Sequence, residues 1–229
     1  MTFHKSGHYF ILLFFLVLIG FWESYFSKLL SEIDLYIHFH AITMLLWIGM
    51  LITQAYLIKY RKRALHKFIG KFSYGLVPAI IISLLLLAHS QITIHNYGIS
   101  YSRLYILFLQ LSLLMIFIIA YSLAIIYRRS PAHHARYMIC TSLTLIDPAV
   151  ARIPLEIPPL PFSYQVLTFS LIDLILIALI FMERKQKHGR EVFPIMLVIF
   201  IFFQGFNLTW TDNVIWEEFS LWFAKIPLT

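Results

Sequence analysis

Ionisable and hydrogen-bonding side chains recur at helical spacing inside one of the most apolar parts of the sequence. Along residues 135–153, Cys140, Thr144 and Asp147 follow a spacing of three to four and therefore share a helix face. An ionisable group at the centre of a bilayer costs roughly 2.5–3.5 kcal/mol, so Asp147 is predicted to face protein or a water-filled cavity. Pro148, the next residue, predicts a kink that opens a pocket beside the carboxylate.

Histidine is the second residue type that could do chemistry, and the chain has ten of them. Several lie within or beside apolar runs at two common depths, which is what axial haem ligation or a metal site requires. His38 and His40 are two residues apart, so they point in roughly opposite directions on a helix and are not automatically a chelating pair. The candidate haem ligands are His40, His66, His89, His133 and His134, and the candidate metal ligands are His38, His40 and Asp147.

Further polar residues are candidates for the lining of the same cavity. Trp47 and Gln54 share the helix face of His40, while Asp173 and Asn207 lie in later apolar runs. Structural roles compete with these functional ones. Histidines near an interface can be satisfied by water, Asp147 and Arg152 could form an ion pair that locks helices together, and Asp173 with Ser170 is predicted to anchor two helices by hydrogen bonds.

The composition of the chain indicates that these residues lie in a membrane protein. The 229 residues are 60% hydrophobic and 13% charged, with mean hydropathy +0.81, which excludes both a soluble domain and a disordered chain. The net charge of +7 comes from short basic clusters between apolar runs, which is typical of contact with anionic lipid and not of nucleic-acid binding. With Cys140 as its single cysteine, the chain forms no intrachain disulfide.

Seven runs are long enough to cross a bilayer as helices, and together they predict an all-α polytopic membrane bundle that occupies residues 1–229 as one domain. The first is predicted to be a retained span and not a cleaved signal peptide. Of the 18 lysines and arginines, 14 fall on one side, so the N-terminus is predicted inside and the C-terminus outside. Residues 214–225 are predicted to form an amphipathic interfacial helix. The spans are placed near 9–27, 35–58, 72–90, 102–127, 135–153, 163–182 and 192–211.

The sequence lacks the residues that several well-known protein functions require. A retinal pigment needs a Schiff-base lysine in the seventh span, and 192–211 contains none, so retinal is excluded. No phosphate-binding glycine loop or nucleophile elbow is present, and no serine–histidine–acid set can be assigned by spacing.

Part of the chain, about residues 35–155, resembles bacterial multi-pass membrane proteins of unknown function, and it is distantly similar to membrane b-type cytochromes. The former share a histidine-bearing span, a His-Arg/Lys-x-x-Gly-Arg/Lys turn and a later His-x-x-Trp-Met element. The resemblance implies a bacterial cytoplasmic membrane protein and, through the cytochromes, haem. Tyr137 stands where those proteins have tryptophan. The matching residues are His38-Phe39-His40-Ala41, Trp47, Gln54, the run Leu65-His66-Lys67-Phe68-Ile69-Gly70-Lys71, Pro78 and His134-Ala135-Arg136-Tyr137-Met138.

The leading hypothesis is a histidine-containing intramembrane cavity that binds haem b or a divalent metal ion for electron transfer with a redox partner. His40 and His89 would then be outer ligands, His66 would pair with His133 or His134, and Arg136 and Arg152 would neutralise propionates. One alternative is a small-solute transporter or receptor-like bundle that uses Asp147, Arg152, His40 and Asn207. Another is a metal-dependent hydrolase acting on membrane lipid.

Overall fold

The computed structural model describes residues 6–29, 34–93, 100–153 and 164–229. Within these ranges the chain is helical and contains no β-strand. A single turn of 3₁₀-helix covers Phe26–Lys28. The α-helices are α1 (Ser6–Gly20), α2 (Leu35–Lys59), α3 (Arg63–Gly70), α4 (Ser73–Thr93), α5 (Tyr101–Ile126), α6 (Pro131–Leu143), α7 (Ile146–Val150), α8 (Tyr164–Glu183), α9 (Val192–Thr209) and α10 (Val214–Ala224).

In the part of the chain that the structure describes, five helical segments are long and apolar enough to cross a membrane, as in an integral membrane protein. They confirm the all-helical, membrane-compatible class, and each coincides with one of the predicted runs. α3 and α4 together form the second of them. The five are Leu35–Lys59, Arg63–Ile92, Tyr101–Ile126, Tyr164–Glu183 and Val192–Thr209.

The first predicted span is shorter than the sequence indicates. α1 has 15 residues and ends at Gly20, whereas the apolar run continues to residue 27. Beyond Gly20 the backbone changes its hydrogen bonding, since the N–H groups of Phe26 and Ser27 bond carbonyls five residues back. Gly20 itself packs directly on the backbone of Ala149, so α1 crosses α7 closely at its last residue.

The predicted fifth span is broken into two helices. α6 ends at Leu143 and α7 begins at Ile146, so the chain turns at Thr144 and Leu145. Pro148 has no N–H to bond the carbonyl of Thr144 four residues earlier, which removes one helical hydrogen bond at this point. Hydroxyl groups before the break also bond backward to main-chain carbonyls, Thr141 to Met138 at 2.7 Å among them, which favours bending.

α5 occupies the centre of the bundle, where it packs against α4, α6 and α9. Trp47 of α2 is fully buried, and its ring meets Phe117 and Tyr121 of α5 edge to face at 5.1 and 5.8 Å. α10 forms over the range predicted for the amphipathic helix. It packs on α4 and α5, and Trp216 donates its indole N–H to the carbonyl of Leu104 at 3.0 Å.

Candidate functional site

Asp147 is completely buried directly after the helix break. Its Oδ1 accepts hydrogen bonds from Gln165, at 2.5 Å, and from Thr168, both on α8. Oδ2 is also buried and has no hydrogen-bond partner within the described part of the chain. A buried carboxylate is therefore held on one oxygen by a neighbouring helix, and its second oxygen retains full capacity to accept.

Two groups act on Asp147 without a direct hydrogen bond. The guanidinium of Arg152 interacts with it electrostatically, while donating to the carbonyl of Pro148 at 2.7 Å and lying 4.5 Å from the ring centre of Phe21. Tyr105 of α5 is also within electrostatic range, and its hydroxyl is buried with no partner among the described residues. We name Tyr105, Asp147, Arg152, Gln165 and Thr168 the Asp147 cluster.

The sequence offered Arg152 as an ion-pair partner of Asp147, whereas the hydrogen bonds to the carboxylate come from Gln165 and Thr168. His40 bonds Ser83 of α4 through Nδ1 at 3.1 Å. The Thr43 hydroxyl lies 3.0 Å from the same serine hydroxyl, so α2 and α4 are joined by a buried polar bridge.

Arg152 acts electrostatically on both His40 and Asp147. His38, predicted on the other side of α2, bonds the hydroxyl of Tyr25 at 3.1 Å and takes part in neither the Asp147 cluster nor the polar bridge between α2 and α4.

His89, the predicted outer partner of His40, has different neighbours. Its Nδ1 is 2.6 Å from the hydroxyl of Thr229, and its ring packs edge to face on Phe223 at 5.2 Å. His89 therefore contacts the C-terminal segment, while His40 contacts Ser83.

The structure brings His66 and His134 together, with ring centres 6.4 Å apart and planes nearly perpendicular. His134 donates from Nδ1 to the carbonyl of Ala124 at 2.8 Å, which leaves Nε2 as the basic nitrogen of the neutral ring. Nδ1 of His66 is buried and has no hydrogen-bond partner in the described ranges, and the same holds for both amide atoms of Gln54. The backbone of Gln54 is hydrogen-bonded to the ring of His66. We name Gln54, His66 and His134 the His66 cluster.

His133 and Arg136 are engaged elsewhere. His133 bonds Ser130 and Glu191 through its two ring nitrogens. Arg136 forms a buried ion pair with Glu183 and donates to the carbonyl of Ala132 at 2.7 Å. Within residues 6–29, 34–93, 100–153 and 164–229, no three histidine, cysteine or acidic side chains lie close enough together to hold one metal ion.

The remaining predicted cavity residues lie in other parts of the bundle. Asp173 accepts a hydrogen bond from Gln204 at 3.2 Å, which links α8 to α9. Asn207 lines a shallow recess between α5, α8 and α9, and its buried amide has no partner in the described part of the chain. The indole nitrogen of Trp47 is likewise buried without one.

Sequence reasoning missed Tyr105, Gln165 and Thr168. Gln165 and Thr168 lie three residues apart at the start of an apolar run, a polar pair that could have been noticed. Tyr105 gives no such signal among the thirteen tyrosines of the chain. Comparison with protein-family models, curated proteins and solved structures finds no match to this chain.

Proposed function

We propose that this protein is a membrane transporter that binds a small, hydrogen-bond-donating solute at Asp147. The proposal rests on a fully buried carboxylate, placed directly after a break in a helix, with one oxygen that has no hydrogen-bond partner among the described residues. Transporters commonly bind solutes at discontinuous helices, because the break frees backbone groups inside the bundle. A bundle with only a structural role would not need such a break, so the break favours a transporter.

The charges of the Asp147 cluster favour a solute that carries hydrogen-bond donors. Arg152 offsets the carboxylate charge at a distance, so a bound solute does not have to carry a full compensating charge. Oδ2 of Asp147 accepts from the solute, and the hydroxyl of Tyr105 can donate or accept. Small amines, amino acids and polyols have the required groups.

Asp147→Asn is the variant that tests this function. A panel of small amines, amino acids and polyols is added to detergent-purified protein, and the unfolding temperature is measured. At least one compound is expected to stabilise the wild-type protein by several degrees and to lose this effect in the variant. The unfolding temperature without ligand should change little, since asparagine keeps the volume and one accepting oxygen.

Asp173→Asn is the matched control, because Asp173 lies on α8 and accepts its hydrogen bond from Gln204 of α9. It is expected to retain the response to the compound. A compound that stabilises the wild-type and Asp147→Asn proteins equally, or a panel without any effect on the wild-type protein, would count against the proposed site.

We further propose that the chain crosses a bacterial cytoplasmic membrane seven times. The support is the charge asymmetry, the five long helices found in the described ranges, the shorter apolar helix α1, and the broken pair α6–α7, which packs within the bundle. A reporter fused after Arg190 should be cytoplasmic, and one fused after Thr229 should be external. Both reporters on the same side would contradict the seven-span topology.

A second function, binding of a metal ion or haem iron, is supported by the His66 cluster. Two imidazoles from α3 and α6 meet there, and the buried Nδ1 of His66 has no partner within the described residues. Bound metal would supply redox or Lewis-acid chemistry, for which His66 and His134 would provide the ligands.

A visible spectrum and elemental analysis of purified protein test this second function. A Soret band or a stoichiometric metal ion is expected, and His66→Ala and His134→Ala should each remove it. His188→Ala, which changes an exposed histidine, should not. Protein without a Soret band or bound metal, or with metal content independent of His66 and His134, would refute metal binding at this cluster.

A further inference from the structure

A serine, a histidine and a glutamate are linked by hydrogen bonds at the end of the bundle where α6 and α9 begin. The hydroxyl of Ser130 lies 2.7 Å from Nδ1 of His133, and Nε2 of His133 lies 2.6 Å from Oε1 of Glu191. Ser130 directly precedes α6, and Glu191 directly precedes α9. We name these three residues the His133 triad.

The protonation states in the triad follow from its hydrogen bonds. The pKa of Glu191 is lowered by its hydrogen bond to a backbone N–H and also by His133 and Arg136, so Glu191 is a carboxylate and can only accept. Nε2 of His133 must then carry the proton that it donates. In the neutral ring Nδ1 is therefore basic, and it accepts from the hydroxyl of Ser130.

This is the arrangement by which a base activates a serine nucleophile and an acid fixes the tautomer of that base. Here the imidazole presents Nδ1 to the serine, whereas the more familiar arrangement presents Nε2. Tyr127 stacks on His133 with ring centres 5.1 Å apart and planes 20° from parallel, which holds the ring in this orientation.

The start of α6 adds a means of stabilising negative charge beside the serine. The hydroxyl of Ser130 does not cap the helix, and Pro131 in the first position has no N–H. The N–H groups of Ala132 and His133 lie in the first turn, where helical N–H groups lack intrahelical acceptors. They are suited to an oxyanion that forms next to Ser130.

We propose that the His133 triad is an acyl-transfer site that hydrolyses carboxylic esters of membrane lipids. Lipid is favoured over a soluble ester because apolar and cationic groups are exposed just before Ser130. Ile126 is 69% exposed, and Arg128 and Arg129 are exposed two and three residues later. An acyl chain could therefore contact Ile126 while an anionic headgroup contacts the arginines. The site requires no metal and is independent of the solute site at Asp147.

The reaction balances with water as the only co-reactant. Ser130 Oγ attacks the ester carbonyl carbon while its proton passes to Nδ1 of His133. The ester C–O bond then breaks, and the departing alkoxide takes that proton and leaves as an alcohol. Water attacks the acyl-serine in the same way, which releases a carboxylic acid and restores the Ser130 hydroxyl.

An alkyl fluorophosphonate tests the nucleophile directly, because it forms a stable bond with an activated serine. Full-length protein in detergent is treated with the probe, and the adduct is located by peptide mass spectrometry. One adduct on Ser130 is expected, and it should disappear when the protein is denatured by heat before the probe is added. No adduct, or an adduct on another residue, would overturn the proposal without depending on the folding of any variant.

Variants then assign the roles within the triad. Ser130→Ala should abolish labelling and the hydrolysis of a short-chain phospholipid, whereas Ser102→Ala, the control at an exposed serine, should change neither. Glu191 is a positioning residue, so Glu191→Gln should slow labelling by at least about tenfold. It should also move the half-maximal pH of labelling downward, because glutamine stabilises the protonated imidazole less than a carboxylate does. An unchanged rate and pH profile would remove Glu191 from the site.

Discussion

Glu183→Gln is expected to lower the free energy of unfolding by about 3–5 kcal/mol, the cost of breaking a buried ion pair by changing one partner. Arg136 and Glu183 are 2% and 1% exposed, and the Nε–H of Arg136 donates to a carboxylate oxygen of Glu183. Glutamine removes the negative charge but leaves the guanidinium buried. Thermal or denaturant unfolding in detergent measures the loss.

Glu191→Gln is the matched control for this prediction. Glu191 pairs with His133, but its side chain is 52% exposed, so the same chemical change should alter the unfolding free energy by less than about 1 kcal/mol. Arg136→Met combined with Glu183→Leu should recover much of the loss, because it removes both buried charges. Equal effects of Glu183→Gln and Glu191→Gln would show that the ion pair contributes no more than a surface pair.

Hydrophobic run length predicted the long helices well, because crossing a bilayer imposes a length that the sequence must satisfy. α2 begins at the expected Leu35, and α9 begins at Val192 as expected. Run length did not predict the positions of helix ends at two places, one with a close tertiary contact and one with a missing backbone hydrogen bond. α1 ends at its crossing with α7, and the predicted fifth span breaks where Pro148 cannot bond Thr144.

The sequence predicted which polar residues are buried better than it predicted their partners. The 3–4 stripe correctly placed Asp147 away from lipid, since a buried carboxylate needs a polar face around it. Its partners Gln165 and Thr168 lie on another helix, and periodicity within one helix carries no information about packing between helices. Ser130 and His133 are visible as a local pair, whereas Glu191 is 58 residues from His133.

Gly20→Ala is expected to destabilise the bundle by about 1–3 kcal/mol, the usual cost of forcing an extra carbon into a packed interior. A Cβ on Gly20 would overlap the carbonyl oxygen of Ala149 and lie 2.8 Å from its carbonyl carbon and 3.0 Å from its Cα. These are backbone atoms, so no side-chain rotation relieves the overlap, and α1 must separate from α7. The unfolding temperature in detergent should fall by several degrees.

Gly49→Ala provides the matched control, because a Cβ on Gly49 in α2 would meet nothing within 4 Å. Alanine there should leave stability unchanged or raise it slightly, since alanine favours the helix more than glycine does. The two variants also differ in their effect on Asp147, which lies on α7 two residues before Ala149. In Gly20→Ala, the displacement of α7 should weaken the binding of any compound that binds at Asp147. In Gly49→Ala, the binding of the same compound should be unchanged. If both variants match the wild-type protein in stability and binding, the close crossing of α1 and α7 does not determine the position of the carboxylate.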